Sequence, residues 1–106
     1  LDDLQIDPRE VKRRLDAGEQ LLLVDVREPW EFDICRIAGA KLPLGSLPSN
    51  LPVFEQAGEV VIYCHHGMRS LDATAWLRQQ GVECARSMAG GIERWSREID
   101  SAVPRY

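Results

Sequence analysis

Apolar positions along this chain alternate between short unbroken runs and helical spacing. Residues 21–26 and 60–63 are continuous apolar stretches of strand length, rich in β-branched side chains, with Asp25 the one polar interruption. Such runs predict strands buried on both faces. Asp7-Pro8-Arg9-Glu10 predicts a helix start: Asp7 can cap, Pro8 fits the first helical position and Glu10 can close a capping box. Val11 and Leu15 then share one face, and Gly18 marks a stop. Ala73, Trp76 and Leu77 define a helix over residues 70–80 that ends at Gly81. A weaker strand covers residues 82–87. Gly90-Gly91 then opens a last helix with Ile92, Trp95 and Ile99 on one face. Residues 28–32 form a short helix after Pro29. The stretch 37–52, with two Gly and three Pro, is expected to wander, with a short strand at residues 40–42.

Strands alternating with helices predict an α/β domain on a largely parallel sheet, covered by helices on both faces. In such sheets ligands gather at the carboxyl ends of the strands. Two strands end there in polar chemistry: Asp25-Val26-Arg27 follows the first run, and Cys64 follows the second.

With 106 residues the chain holds a single domain, residues 1–106, and its 44% apolar fraction is enough to pack a core. It lacks any apolar run near the ~20 residues of a membrane helix, so no membrane partner is expected. A net charge of −4 argues against nucleic acid as a partner. Three cysteines are not a disulfide framework; they suit a reducing, cytoplasmic setting.

The segment Cys64-His65-His66-Gly67-Met68-Arg69-Ser70 joins a buried strand directly to a helix. A thiol there faces free backbone N–H groups and the positive end of the helix dipole, and both favour thiolate over thiol. Gly67 lets the loop bend so that its amides point inward. Arg69 adds a permanent cation with a planar fork of donors. No acidic side chain lies between Val60 and Leu71, so the local charge opposes that of the whole chain. A nucleophile in an anion cradle fits two reaction classes. One is sulfur transfer, in which thiolate takes a sulfane sulfur and becomes a persulfide. The other is phosphate or arsenate chemistry.

Other chemistry-bearing residues read more simply as structure. Cys84 fits a small buried hydrophobe inside a strand, and Cys35 an incidental thiol in a turn. His65 and His66 are expected to be exposed residues shaping the mouth of the site. Adjacent residues do not easily point at one ion, so no metal is expected. Trp30, Trp76 and Trp95 fit core or rim packing.

These residues resemble the rhodanese family of sulfurtransferases over almost the whole chain. The matching pieces are Asp25-Val26-Arg27-Glu28 with Glu31-Phe32, Ile37-Ala38-Gly39-Ala40, Cys64-x-x-Gly67-x-Arg69-Ser70, the helix through Ala73 and Leu77 to Gly81, and Gly90-Gly91-Ile92 with Trp95. The resemblance implies a rhodanese-like fold: a five-stranded, mostly parallel sheet flanked by helices on both faces, with the active loop after the fourth strand. It implies Cys64 as nucleophile and persulfide carrier. Residues His65, His66, Gly67, Met68, Arg69 and Ser70 would bind substrate through their backbone, with Arg69 on the anionic part of the donor. Arg27 would brace the site by an internal ion pair with a Glu such as Glu31, and Asp25 would support the loop from below.

Cys64 to Arg69 spans six residues, whereas phosphatases of this fold have one more, so the loop looks like a sulfurtransferase loop. Many members have His where this chain has Arg36, a change at the rim. The implied partners are a small anionic sulfur donor such as thiosulfate, and cyanide, a thiol or a protein as acceptor, without cofactor. Two alternatives stand beside this. One is a sulfur-relay domain tied to an activating enzyme of ubiquitin-like sulfur carriers. The other is a phosphatase or arsenate reductase.

Overall fold

A computed structural model describes residues 3–106. The elements run β1 (Gln5–Ile6), α1 (Pro8–Asp16), β2 (Leu22–Asp25), α2 (Pro29–Ile34), β3 (Ala40–Lys41), a 3₁₀ helix (Leu44–Asn50), α3 (Leu51–Glu55), β4 (Val60–Tyr63), α4 (Met68–Gln79), β5 (Ala85–Met88) and α5 (Gly91–Glu98). The strands form one sheet in the order β1-β5-β4-β2-β3, and every pairing is parallel. The expected α/β architecture is therefore present, with a sheet that is wholly parallel among the described residues.

Strand β4 lies at the centre, and all four of its residues are buried. Alternate side chains feed two cores, as the period of two in a strand requires. Val60 and Ile62 pack with Val24, Leu47, Phe54, Ala73 and Leu77 on the face covered by α3, α4 and the 3₁₀ helix. Val61 and Tyr63 pack with Ile6, Val11, Leu23, Met88, Ile92 and Trp95 on the face covered by α1 and α5. Burial on both faces explains why the strand has no polar alternation to read.

Several boundaries differ from the sequence expectation for local reasons. Helix α4 starts at Met68, two residues early, because Gly67 takes the left-handed conformation at its head, φ +102°. Strand β5 starts late because the Val82 amide donates to Leu77 O (2.9 Å), so residues 80–82 form the exit turn of α4. Cys84 thus lies before the strand, partly exposed, with its thiol near Ala57 O. Asp7 does cap α1, accepting from the Arg9 amide (2.8 Å). Glu10 does not complete a capping box, since its carboxylate is drawn to Arg13 and Arg14. Instead, Glu31 of α2 reaches back to the Glu28 amide (3.1 Å), the bond a capping box makes from its third residue. The stretch expected to wander holds the 3₁₀ helix and the first residues of α3, elements that bury Leu47 and Phe54. No described helix is long and apolar enough to cross a membrane.

Candidate active site

Cys64 leaves the end of β4 at the centre of the sheet, 1% exposed. Its Sγ accepts from the amides of Gly67 (3.1 Å) and Ser70 (3.3 Å), and its thiol lies 3.4 Å from Ser70 Oγ. Ser70 Oγ is itself held by Gly67 O (3.2 Å) and by Ser87 Oγ of β5 (2.7 Å). The sulfur therefore sits on the first amides of α4, where the helix has unpaired donors and positive potential.

What turns these amides inward is a second helix. The loop carbonyls of Cys64 and His65 accept from the amides of Ile92 (2.9 Å) and Glu93 (3.1 Å) at the start of α5. With these carbonyls tied to α5, the amides of Gly67 and Ser70 are left to the sulfur. Gly91 permits this approach: a Cβ there would collide with both carbonyl oxygens. At Gly67 an added Cβ would lie 3.1 Å from the Gly90 amide nitrogen. The paired glycines at residues 90–91 thus serve the cysteine loop, a role beyond opening a helix.

Two arginine–carboxylate pairs flank the loop. Arg27 is fully buried and meets Asp25 side-on, Nε to Oδ1 at 2.9 Å and Nη2 to Oδ2 at 2.7 Å. It also donates to Cys35 O (2.6 Å), Glu31 O (3.3 Å) and the Tyr106 hydroxyl (2.9 Å). This corrects one expectation. The carboxylate partner of Arg27 is Asp25 and not Glu31, whose backbone carbonyl alone it touches. Asp25 braces Arg27, and both of its carboxylate oxygens are occupied in doing so. Cys35 is buried against the same guanidinium, with its carbonyl oxygen as one of the acceptors.

The Glu31 carboxylate faces Arg69. Nη1 of Arg69 donates to Oε1 (2.6 Å) and Nη2 to Oε2 (2.9 Å), a fork-to-fork geometry. The Tyr106 hydroxyl donates to Oε2 (2.6 Å), and the Glu28 amide to Oε1. Hydrogen bonds from Arg69 hold the Glu31 carboxyl down to about 2 against the opposing effect of burial, with Tyr106 and Glu28 helping. The same pairing raises Arg69. Arg69 is thus paired, where the local sequence pictured an uncompensated cation.

His65 departs from its expected exposure. It is half-buried, with its ring stacked between Tyr106 and His66, each 3.8 Å away between centroids. Burial, followed by the neighbouring His66, lowers its pKa. His66 and Met68 are exposed at the rim, and Trp30 projects nearby, edge-on to Tyr106. Ligand atoms of His65, His66 and Glu93 lie within 4.8 Å of one another, closer than adjacency in sequence led one to expect. The two imidazole planes are 25° apart, so their in-plane lone pairs run nearly side by side and do not converge. Glu93 is held by Arg105 at 2.6 and 2.9 Å. This is stacking geometry and not a formed metal site.

Of the residues expected at the site, the structure joins Cys64 to Gly67 and Ser70 and turns Arg69 to Glu31. The sequence expectation missed Tyr106, which lies far along the chain and carries no motif. It also missed the Glu31–Arg69 pairing, although Glu31 was in view.

Comparison with known proteins agrees with this geometry. Residues 7–98 match the Rhodanese-like domain family. The chain is 38% identical to a protein of Allochromatium vinosum named Sulfurtransferase, covering 88% of each. It is also 38% identical to the probable adenylyltransferase/sulfurtransferase MoeZ of Mycobacterium tuberculosis, with 95% of this chain and 26% of that protein covered. The chain thus spans about a quarter of MoeZ, and it spans 24% of a maize protein named adenylyltransferase and sulfurtransferase MOCS3-1. Among solved structures, the human single-domain sulfurtransferase TSTD1 superposes with a TM-score of 0.79 at 27% identity, covering 92% of this chain and 98% of that one.

Proposed function

The chain belongs to the rhodanese family, and from that premise we propose that it is a sulfurtransferase working through a persulfide on Cys64. The observation that carries this reading is the sulfur of Cys64 resting on the amides of Gly67 and Ser70 at the head of α4. Fixed dipoles of this kind stabilise charge on sulfur without having to reorganise during the reaction.

In the first half-reaction, thiolate attacks the outer sulfur of a donor such as thiosulfate. The donor S–S bond breaks, its electron pair leaves with sulfite, and a new S–S bond forms on Cys64. In the second, cyanide in an assay, or a thiol or protein acceptor in the cell, attacks the terminal sulfur and restores the thiolate. The cycle is covalent and two-step, so ping-pong kinetics follow. It draws on no metal or organic cofactor. The backbone of residues 65–70 would line the sulfur pocket. Arg69 would meet the donor with the N–H groups that Glu31 does not engage. Asp25 and Arg27 act as structural support. Three free thiols favour a reducing, cytoplasmic setting.

The test is thiocyanate formation from thiosulfate and cyanide, read together with intact mass after thiosulfate alone. A gain of one sulfur atom on the wild-type chain, absent in Cys64→Ser, is expected. Full activity in Cys64→Ser would overturn the assignment. The match to MoeZ and the MOCS3 proteins favours a second reading, in which the domain relays sulfur within or beside an adenylyltransferase. Thiosulfate would then be a surrogate donor and the acceptor a protein. Phosphatase or arsenate-reductase chemistry is the weaker reading, because a six-residue loop leaves less room for a tetrahedral oxyanion.

A further inference from the structure

We infer that the mouth of this site selects singly charged sulfane-sulfur donors over doubly charged ones, and that Glu31 is the residue that sets the preference. The inference rests on the sulfurtransferase reading above and narrows its donor class.

Charge at the mouth is balanced around the arginines that flank the loop. Arg27 and Arg69, the two arginines whose pairs flank the loop, are matched one for one by carboxylates, Arg27 by Asp25 and Arg69 by Glu31. The Arg27 pair is sealed from solvent, so it offers nothing to a ligand. In the second pair Glu31 is 4% exposed and Arg69 36%, so the arginine meets an incoming donor with its own counter-charge directly behind it. Glu31 cannot relax away. Each of its oxygens takes two donors, from Arg69 and Glu28 on one and from Arg69 and Tyr106 on the other. His65 is half-buried between aromatic rings, which disfavours its charged form. The local run of residues 60–71 contains no acid, but the fold delivers one from α2.

What remains for anions, beside the N–H groups of Arg69 that Glu31 does not engage, is the set of amides at the head of α4, and two of these already serve the Cys64 sulfur. That sulfur is itself negative when it attacks. A donor with one negative charge, such as a thiosulfonate, adds one unit to this cradle. Thiosulfate adds two, and its second charge meets at Arg69 a guanidinium whose charge Glu31 already balances. The chemistry with a thiosulfonate balances as it does with thiosulfate. Thiolate attacks the outer sulfur, the donor S–S bond breaks, and the electron pair leaves with a sulfinate. One negative charge stays on the persulfide and no redox partner or proton is needed. Glu31 touches neither donor nor sulfur; it acts through Arg69 as a specificity-setting, positioning residue.

The experiment compares kcat/KM for methanethiosulfonate and for thiosulfate, with cyanide as acceptor, in wild type, Glu31→Gln and Glu31→Asp. Glu31→Gln is expected to move the ratio toward thiosulfate by about ten-fold, the effect of one unit charge near a protein surface. Glu31→Asp keeps the charge and should retain the wild-type ratio. A purely structural role would lower both donors alike, and that result, or a shift toward methanethiosulfonate, overturns the inference. Should Glu31→Gln fail to fold, wild type alone still decides. With its arginines matched, its thiosulfate kcat/KM should be nearly flat with added salt, and a fall of more than about three-fold on moving to physiological ionic strength overturns the inference. Absence of a persulfide from either donor overturns the sulfur-transfer reading itself. A persulfide with an unmoved ratio overturns only this one.

Discussion

The two arginine–carboxylate pairs beside the cysteine loop share one chemistry and differ in place. Asp25 and Arg27 lie at the end of β2, both essentially without solvent exposure. Glu31 and Arg69 join α2 to the start of α4, with the acid buried and the base open to the rim. Tyr106 bridges them, accepting from Arg27 and donating to Glu31. A sealed pair cannot meet a substrate, so its worth is structural. A half-open pair presents one member to whatever enters. Two ion pairs close together can therefore carry different duties through burial alone.

The largest effect that would test this contrast is on the sealed pair. Arg27→Met leaves Asp25 buried without its guanidinium bonds, and removing one partner of a buried pair costs about 3–5 kcal/mol. Urea unfolding is expected to show a loss of that order. Replacing both, as Asp25→Leu with Arg27→Met, should recover much of it, because no uncompensated charge remains. A single variant within about 1 kcal/mol of wild type would break the comparison, since both pairs would then be peripheral.

Acid offers the next effect, and it probes the half-open pair. The Glu31 carboxyl is held to about 2 in the folded chain against an ordinary 4.5, so folding favours its charged form. Its contribution is fully present above the unfolded value and is lost as pH falls from about 4.5 toward about 2. That shift is on the order of 2–3 kcal/mol for a buried carboxylate. Between pH 5 and pH 2.5, wild type should thus lose about that much more stability than Glu31→Gln, measured by urea unfolding at each pH. Parallel pH curves for the two chains would show that Arg69 does not hold Glu31 in solution.

Which parts of this were readable beforehand follows from the range of the interactions. The buried runs at residues 21–26 and 60–63 carry their own signal, and so does the strand–loop–helix passage through Cys64. Short elements such as β1, with two residues, have no period to detect. The 3₁₀ helix at Leu44–Asn50, with Pro48 inside it, leaves no 3.6-residue spacing. Counting charge only between residues 60 and 71 made the loop cationic. It could not include an acid from 38 positions away. The family resemblance implied an internal ion pair for Arg27 with a nearby Glu such as Glu31, and nearness along the chain does not choose between Glu31 and Asp25. Arg27 lies before α2 and turns back to Asp25, which frees Glu31 for the loop. Chain proximity names the charged residues of a site, whereas tertiary structure decides which cancel.

The smallest expected change in stability belongs to Arg69→Ala, and it sharpens the contrast most. Truncation opens the rim side of Glu31 to water, and the Glu28 amide and Tyr106 hydroxyl still donate to its oxygens. With those bonds kept and water admitted, loss of the Arg69 bonds is expected to cost about 1–2 kcal/mol, less than for the sealed pair. Against this, the mouth gains a bare negative charge where a balanced pair stood. The KM for thiosulfate should therefore rise well beyond what the loss of stability accounts for, with the thiosulfonate affected less. If unfolding and kinetics instead moved together, as expected for Arg27→Met, the half-open pair would be a second brace. The distinction drawn from burial would then fail.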